Sequence, residues 1–351
     1  MDVAVVASGL ALVLLITVDA VVTVLHPTHR GPVTRVTGDA VWATTRAFAR
    51  AMGRPGLLSG AGPLAVVAVF GVWTATMWCG WALVYLPRLD DFSYDSSVPY
   101  GDRTFLTALY VSGMSLTTVG FGDVVGATDA MRLATVAEAA TGFGLITAAI
   151  TYILSIYPLT SRLRGAARMV QTQGDDPGRA ARMVVLGGSS YLQELQQQVI
   201  SVDEDTQRFP LLFYFRSRDP AASMFTLMEG AMVAALQAGW GVSPDAAPYG
   251  RLAGEELMLR LDHIMDHCAS SFGLRASTRT DLALTVEDAQ SRLDHLRSTA
   301  GQHGVDRRSW APEDQGQELR EFAQVVGRCQ AFLDDLADHH LYPRVRLLVD
   351  D

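Results

Sequence analysis

Three long stretches of this chain are nearly free of charge, and they constrain everything else it can fold into. They are Val3–Leu25 (VAVVASGLALVLLITVDAVVTVL), Pro63–Leu86 (PLAVVAVFGVWTATMWCGWALVYL) and Ala134–Pro158 (ATVAEAATGFGLITAAITYILSIYP). Each exceeds the roughly 20 residues that an α-helix needs to cross about 30 Å of hydrocarbon at ~1.5 Å per residue. Lipid offers no partners for backbone polar groups, so such segments are expected to be helices. The first opens Met-Asp, without a basic segment, and nothing after it reads as a cleavage site. It is therefore expected to be a retained span, not a secretion signal.

Arginine placement sets the expected orientation, because cytoplasmic loops collect positive charge. The connection after the first span carries Arg30, Arg35, Arg46, Arg50 and Arg54 against Asp39 alone. The connection after the second carries Asp90, Asp91, Asp95 and Asp102 against Arg88 and Arg103, and Arg162, Arg164 and Arg168 follow the third span. This pattern puts the N-terminus outside, and the first connection and the long tail in the cytoplasm, of a protein crossing the cell's inner membrane several times. The net charge of −9 argues against a nucleic-acid partner. Cys79, Cys268 and Cys329 lie too far apart to read as a disulfide framework or a zinc motif.

Between the second and third spans lies DRTFLTALYVSGMSLTTVGFGD. Its apolar part is too short to cross a bilayer and fits a re-entrant or buried helix, expected over about Arg103–Leu116 with Asp102 as cap. Irregular backbone beyond it, at membrane depth, is tolerated only inside protein or along a water-filled path. An ordinary strand alternates its carbonyls left and right. Alternating right- and left-handed residues can turn successive carbonyls the same way, and Gly120 and Gly122 reach the left-handed region without steric penalty. Val119 and Phe121 are then expected to keep right-handed values, with side chains braced outward. Around a fourfold axis, such carbonyls and the Thr118 hydroxyls could replace an ion's water shell.

TTVGFGD (Thr117–Asp123) resembles the selectivity filter of potassium channels, whose commonest form has Tyr where this chain has Phe121. The short helix before it, a span on each side, an acidic outer connection and GFGLITAAITYI (Gly142–Ile153) extend the resemblance over about Pro63–Pro158. The first span with DAVVTVLHPTHRGP looks like bacterial members of that family that carry an extra N-terminal helix. The resemblance implies an all-α membrane protein with three transmembrane helices, a re-entrant pore helix and an α-helical cytoplasmic C-terminal domain. It implies that Thr118, Val119, Gly120 and Phe121 supply carbonyl rings for K+, with Gly122 and Asp123 at the outer mouth and Thr117 in support. One filter per chain implies a homotetramer, and the activity implied is passive K+ conduction without enzymatic chemistry or an organic cofactor. Two departures stand out. Phe121 lacks the usual hydroxyl, and Met114 sits where some relatives place a carboxylate that partners the outer aspartate, leaving Tyr110 as a candidate partner for Asp123.

On the third span Ala139, Ala140, Gly142, Gly144, Ala148 and Ala149 crowd together, which suits close helix packing. Gly142 or Gly144 also suits a bending point, and both readings can hold. Phe143, Thr147, Thr151 and Ser155 recur every four residues and are expected to share a face toward the cavity and inner gate. Two ionisable residues lie within spans, where they usually mark a path or a partner. Glu138 is expected to brace the back of the filter. Asp19 is near the cytoplasmic end of its span and is expected to bond a neighbouring helix or linker.

The organisation expected is an extra N-terminal span over 1–25, a linker over 26–62, the pore module over 63–158 and a helical domain over 159–351 that assembles or gates it. Within the linker, Val41, Thr45, Phe48 and Met52 form one face of a helix from about Asp39 to Met52, with Trp42 at its edge. That face suits either the inner leaflet of lipid or packing on the tail. In the tail, Leu319, Phe322, Val326, Cys329, Leu333 and Leu336 form an amphipathic helical stripe. SMFTLMEGAMVAALQAG and LTVEDAQSRLDHLRSTA give further helices, and VVLGGSSY reads as a turn before a helix capped by Ser189 or Ser190. No glycine fingerprint of a nucleotide-binding domain is present. His263 and His267, one helical turn apart, suit a shared metal or an ordinary solvated face. An unidentified ligand or protein at the tail is the remaining partner expected.

Overall fold

The computed structural model describes residues 2–25, 30–95, 104–174, 176–274, 284–309 and 314–349. Among these the chain is helical almost throughout, as its apolar periodicities require. Three helices are long and apolar enough to cross a membrane. They are α1 (Asp2–Leu25), α3 (Ala61–Tyr85) and the membrane part of α5 (Asp129–Gly174). Between them stand α2 (Pro32–Ala51) and the short apolar α4 (Phe105–Leu116). Two three-residue strands, β1 (Phe92–Tyr94) and β2 (Val124–Gly126), pair antiparallel with Ser93 opposite Val125.

The chain divides into two compact units. The first comprises Met1–Ala47, Gly60–Pro158 and Gln207–Tyr214. In it α1 packs along α3, and α3 along α4. Small residues permit the first contact: a Cβ at Gly9 would come 3.0 Å from Leu83, and one at Gly80 would come 3.0 Å from Val13. Trp73 and Tyr85 of α3 are fully buried.

The Asp19 carboxylate, 1% exposed, does what an anion does at a helix N-terminus. It accepts from the backbone N–H groups of Val33 (2.8 Å) and Thr34 (3.1 Å), from the Thr34 hydroxyl (2.7 Å) and from Trp73 Nε1 (2.9 Å). Thr23 completes the junction by accepting from Gly31 N at 3.0 Å. A side chain at Gly31 would collide with the Asp19 carboxylate. One buried acid thus fastens α2 to α1 and α3.

The second unit comprises Phe48–Ser59, Leu159–Thr206 and Phe215–Asp351. Its helices are α6 (Pro177–Arg208), α7 (Met224–Leu236), α8 (Gly250–Phe272), α9 (Val286–Gln302) and α10 (Gln315–His340). The core is apolar and helical: Leu227, Met228, Leu261, Leu293, Phe322, Val326 and Leu336 are all fully buried. The α10 stripe faces inward as its period requires, with Leu319 alone half-buried.

Several expectations change. The inner helix does not stop at Pro158 but runs on to Gly174. Pro costs one N–H there, yet the apolar rows of Leu159, Leu163, Ala166, Ala167 and Val170 keep one face buried and so carry the helix onward. α2 begins seven residues before the expected Asp39, because the Asp19 clamp satisfies its first N–H groups. It buries Trp42, while Phe48 and Met52 are 59% and 46% exposed. α4 is capped by Thr104, whose hydroxyl accepts from Thr107 N at 3.3 Å; the expected cap, Asp102, lies outside the described residues. VVLGGSSY does hold the expected turn before a helix: Gly188, at φ 55°, ψ −143°, kinks α6 with helix on both sides.

Candidate functional site

α4 delivers the chain to Thr117–Asp123, the TTVGFGD stretch. At its C-cap, Thr117 N–H makes a last helical bond to Gly113 O at 3.1 Å and its hydroxyl donates to the same oxygen at 2.6 Å. Thr118 N then donates to Ser115 O (3.0 Å) and Val119 N to Met114 O (3.1 Å). Past this point the backbone alternates in handedness. Thr118, Gly120 and Gly122 have φ of 58°, 53° and 82°, while Val119 and Phe121 stay negative. The glycines account for two of these positions without penalty. Thr118 does not, since a β-branched residue at positive φ is strained by about 1–3 kcal/mol. Sequence reasoning named Thr118 but not its positive φ, because nothing in its type signals the left-handed region. Thr117 to Gly122 are all exposed on the protomer, Val119 at 55% and Phe121 at 73%.

The outer side of the turn is tied down by polar contacts and a short ladder. The Tyr110 hydroxyl donates to Asp123 Oδ2 at 2.6 Å, the contact that the position of Met114 left open. Asp123 O accepts from Asp95 N at 2.8 Å, and β2 begins at the next residue. Trp78 Nε1 donates to Leu109 O at 2.7 Å, fixing α4 against α3.

Behind the turn a buried carboxylate joins three helices. Glu138 of α5 is fully buried and accepts from Ser112 of α4 at 2.5 Å and from the Tyr85 hydroxyl of α3 at 2.7 Å. A buried charge-capable group must be hydrogen-bonded, and here each carboxylate oxygen has one donor. Ser112 and Tyr85 were not foreseen. Their signal was weak: a serine and a tyrosine facing the same depth of a span as Glu138.

The two inner-helix glycines differ sharply. A Cβ at Gly142 would collide with the Leu116 carbonyl at the foot of α4, reaching its carbon at 2.9 Å, whereas nothing lies within 4 Å of Gly144. Gly142 therefore serves close approach of α5 to the C-terminal end of α4. Phe143 (67% exposed), Thr147 and Thr151 share an outward face, and Ser155 is half-buried. The Thr147 and Ser155 hydroxyls donate to carbonyls one turn back, at 2.9 and 2.8 Å. Thr147 and Thr151 also line an apolar groove of about 420 Å³ with Thr17, Val21, Val24 and Met77.

In the tail, His263 and His267 both turn to Asp203 of α6. His267 Nδ1 lies 2.8 Å from Oδ1 and His263 Nε2 3.8 Å from Oδ2. Among the described residues no group of three or more His, Cys, Asp or Glu side chains is placed to hold a metal ion.

Comparison with known proteins places this geometry in context. The chain is 29% identical over 146 residues to the protein named Uncharacterized membrane protein YdjJ of Bacillus subtilis (strain 168). That match covers 42% of this chain and 42% of the relative's own length. No solved structure matches. Residues 68–157 match the family model described as Ion channel. The segment from within α3 through α4, the alternating turn and the membrane part of α5 thus carries an ion-channel domain.

Proposed function

We propose that four copies of this chain form a K+-selective channel of the inner membrane, with K+ as the transported ion and no covalent chemistry. The observation that carries this reading is the alternation of φ at Thr118, Gly120 and Gly122, directly after a short apolar helix in an ion-channel domain. That alternation favours carbonyls aimed one way, and rings of such carbonyls can replace the hydration shell of K+. Thr118 to Phe121 supply those rings, and the Thr118 hydroxyl adds one at the cavity end. Exposure of the whole turn on one protomer supports assembly around it, because a single copy leaves Phe121 and Val119 uncovered. Asp123 with Tyr110, and Glu138 with Tyr85 and Ser112, hold the filter from outside and behind. The Arg-rich first connection and the arginines after the third span favour a cytoplasmic tail that gates or assembles the pore.

The direct test is K+ flux from liposomes holding the purified protein. Flux blocked by Ba2+ and abolished by Gly120→Asp supports the reading. No flux from intact tetramers would favour a non-conducting membrane sensor or scaffold, and equal Na+ and K+ flux would favour a poorly selective cation channel.

A further inference from the structure

Gln207–Tyr214 begins with the last two residues of α6 and lies in the tail by sequence, yet it belongs to the membrane unit. Its residues Pro210–Tyr214 form one 3₁₀ turn, and all five are buried. On one side, Phe209 meets Tyr152 of α5 edge-on, with ring centroids 5.4 Å apart. Tyr152 is 3% exposed and also meets Phe70 of α3 at 6.0 Å. On the other side, Tyr214 stacks on Trp42 of α2 at 5.3 Å. Its hydroxyl donates to Asp39 Oδ1 and accepts from Arg30 Nη1 at 3.1 Å. Gly38 lets the turn lie this close, since a Cβ there would stand 3.1 Å from Leu211 and 3.3 Å from Tyr214.

These contacts differ in what they grip. α2 is fastened to α1 and α3 by the Asp19 clamp, so Tyr214 is held by a fixed element. Tyr152 is on the inner helix, beside Thr151 and one turn before Ile156, in the half nearer Pro158. A segment gripping both sets the position of α5 against α3. Its first two residues, Gln207 and Arg208, are the last two of α6, so displacement of that end of α6 reaches the turn through covalent bonds alone.

We propose that Gln207–Tyr214 is a strap through which the cytoplasmic tail acts on the inner helix, holding Tyr152 in place while docked and freeing it when drawn away. This rests on the channel reading above. The strap is a bistable element of the kind that switching requires: a compact aromatic turn that is either seated or not. Seating is set by Phe209 on the α5 side and by the Tyr214 hydroxyl on the α2 side.

The test uses the full-length protein in liposomes, with two readouts on each sample: K+ flux, and hydrogen exchange of the α5 segment around Tyr152. The variants are Phe209→Ala and Tyr214→Phe, with the exposed tail change Leu186→Ala as control and Gly120→Asp to silence the pore. The expected result is exchange near Tyr152 accelerated about ten-fold in both strap variants, with or without Gly120→Asp. The flux rate shifts by about five-fold or more, the lower end of measured allosteric couplings. Leu186→Ala changes neither. Unchanged α5 exchange in the strap variants overturns the proposal, and so does altered exchange with unchanged flux in a conducting channel. Absence of flux in the unmodified protein would count against the channel reading, while the exchange readout still decides whether the strap holds α5. Should Phe209→Ala fail to fold, Tyr214→Phe, which deletes one oxygen, decides alone.

Discussion

Replacing each of two glycines on one helix turn by alanine should have opposite effects. At Gly144 the added methyl enters open space, and Gly→Ala in a helix interior gains about 1 kcal/mol from backbone entropy. At Gly142 the same gain applies, but the methyl drives into the Leu116 carbonyl, with that carbon at 2.9 Å and Leu116 Cδ1 at 3.1 Å. Both neighbours belong to α4, and a backbone carbonyl cannot swing away as a side-chain tip can. Overpacking of this kind costs about 1–3 kcal/mol. The propensity term is common to both variants and cancels, so Gly142→Ala should be less stable than Gly144→Ala by about 1–3 kcal/mol. Leu116 is two residues before Thr118, so the same push reaches the strained start of the alternating turn and, on the channel reading proposed above, should lower K+ flux as well. Chemical or thermal unfolding in matched detergent micelles, read by tryptophan fluorescence, gives the stabilities. Equal stabilities for the two variants, or a more stable Gly142→Ala, would refute the assignment of Gly142 to close helix approach.

Other outcomes follow from the buried polar contacts. Tyr85→Phe leaves one Glu138 oxygen without its donor, which costs about 1–3 kcal/mol. In a cycle with Ser112→Ala the two losses should not add, because both donors serve one carboxylate. Asp19→Ala removes the acceptor of three donors at the start of α2 and of Trp73 on α3, and protease cleavage near Arg35 should accelerate at least ten-fold, while Leu14→Ala on the exposed face of α1 should leave cleavage unchanged. In the tail, burial pushes the Cys329 thiol up to about 12 and raises the Cys268 thiol as well. At pH 8 only about one Cys329 in ten thousand is then thiolate. In a Cys79→Ser background, maleimide should label neither cysteine until denaturant opens the tail, and rapid native labelling would contradict the buried core.

The sequence carried the spans, the short helix and the alternating turn because each rests on local chemistry. Twenty uncharged residues, a pair of spaced glycines and an amphipathic stripe act through their own backbone or their own face. What it concealed depends on residues that meet from afar. Asp19 was legible as a polar anchor, but its partners Val33, Thr34 and Trp73 come from two other helices, so the early start of α2 was not. The strap was written openly as the apolar run FPLLFYF (Phe209–Phe215), which no amphipathic period explains. Contiguous domain boundaries hid its membership of the membrane unit. The apolar stretch ends at Pro158, but the helix does not, because the buried rows beyond it outweigh a single lost hydrogen bond. Glu138 showed its expense in a span, but its donors Tyr85 and Ser112 are ordinary residues until the helices pack.

The central claim is that this turn selects K+, and the bi-ionic potential across bilayers containing the purified protein tests it most directly. With K+ on one side and Na+ on the other, the account predicts a reversal potential set by K+ and currents that vanish in Gly120→Asp. A reversal potential near zero, from currents that Gly120→Asp abolishes, would contradict it.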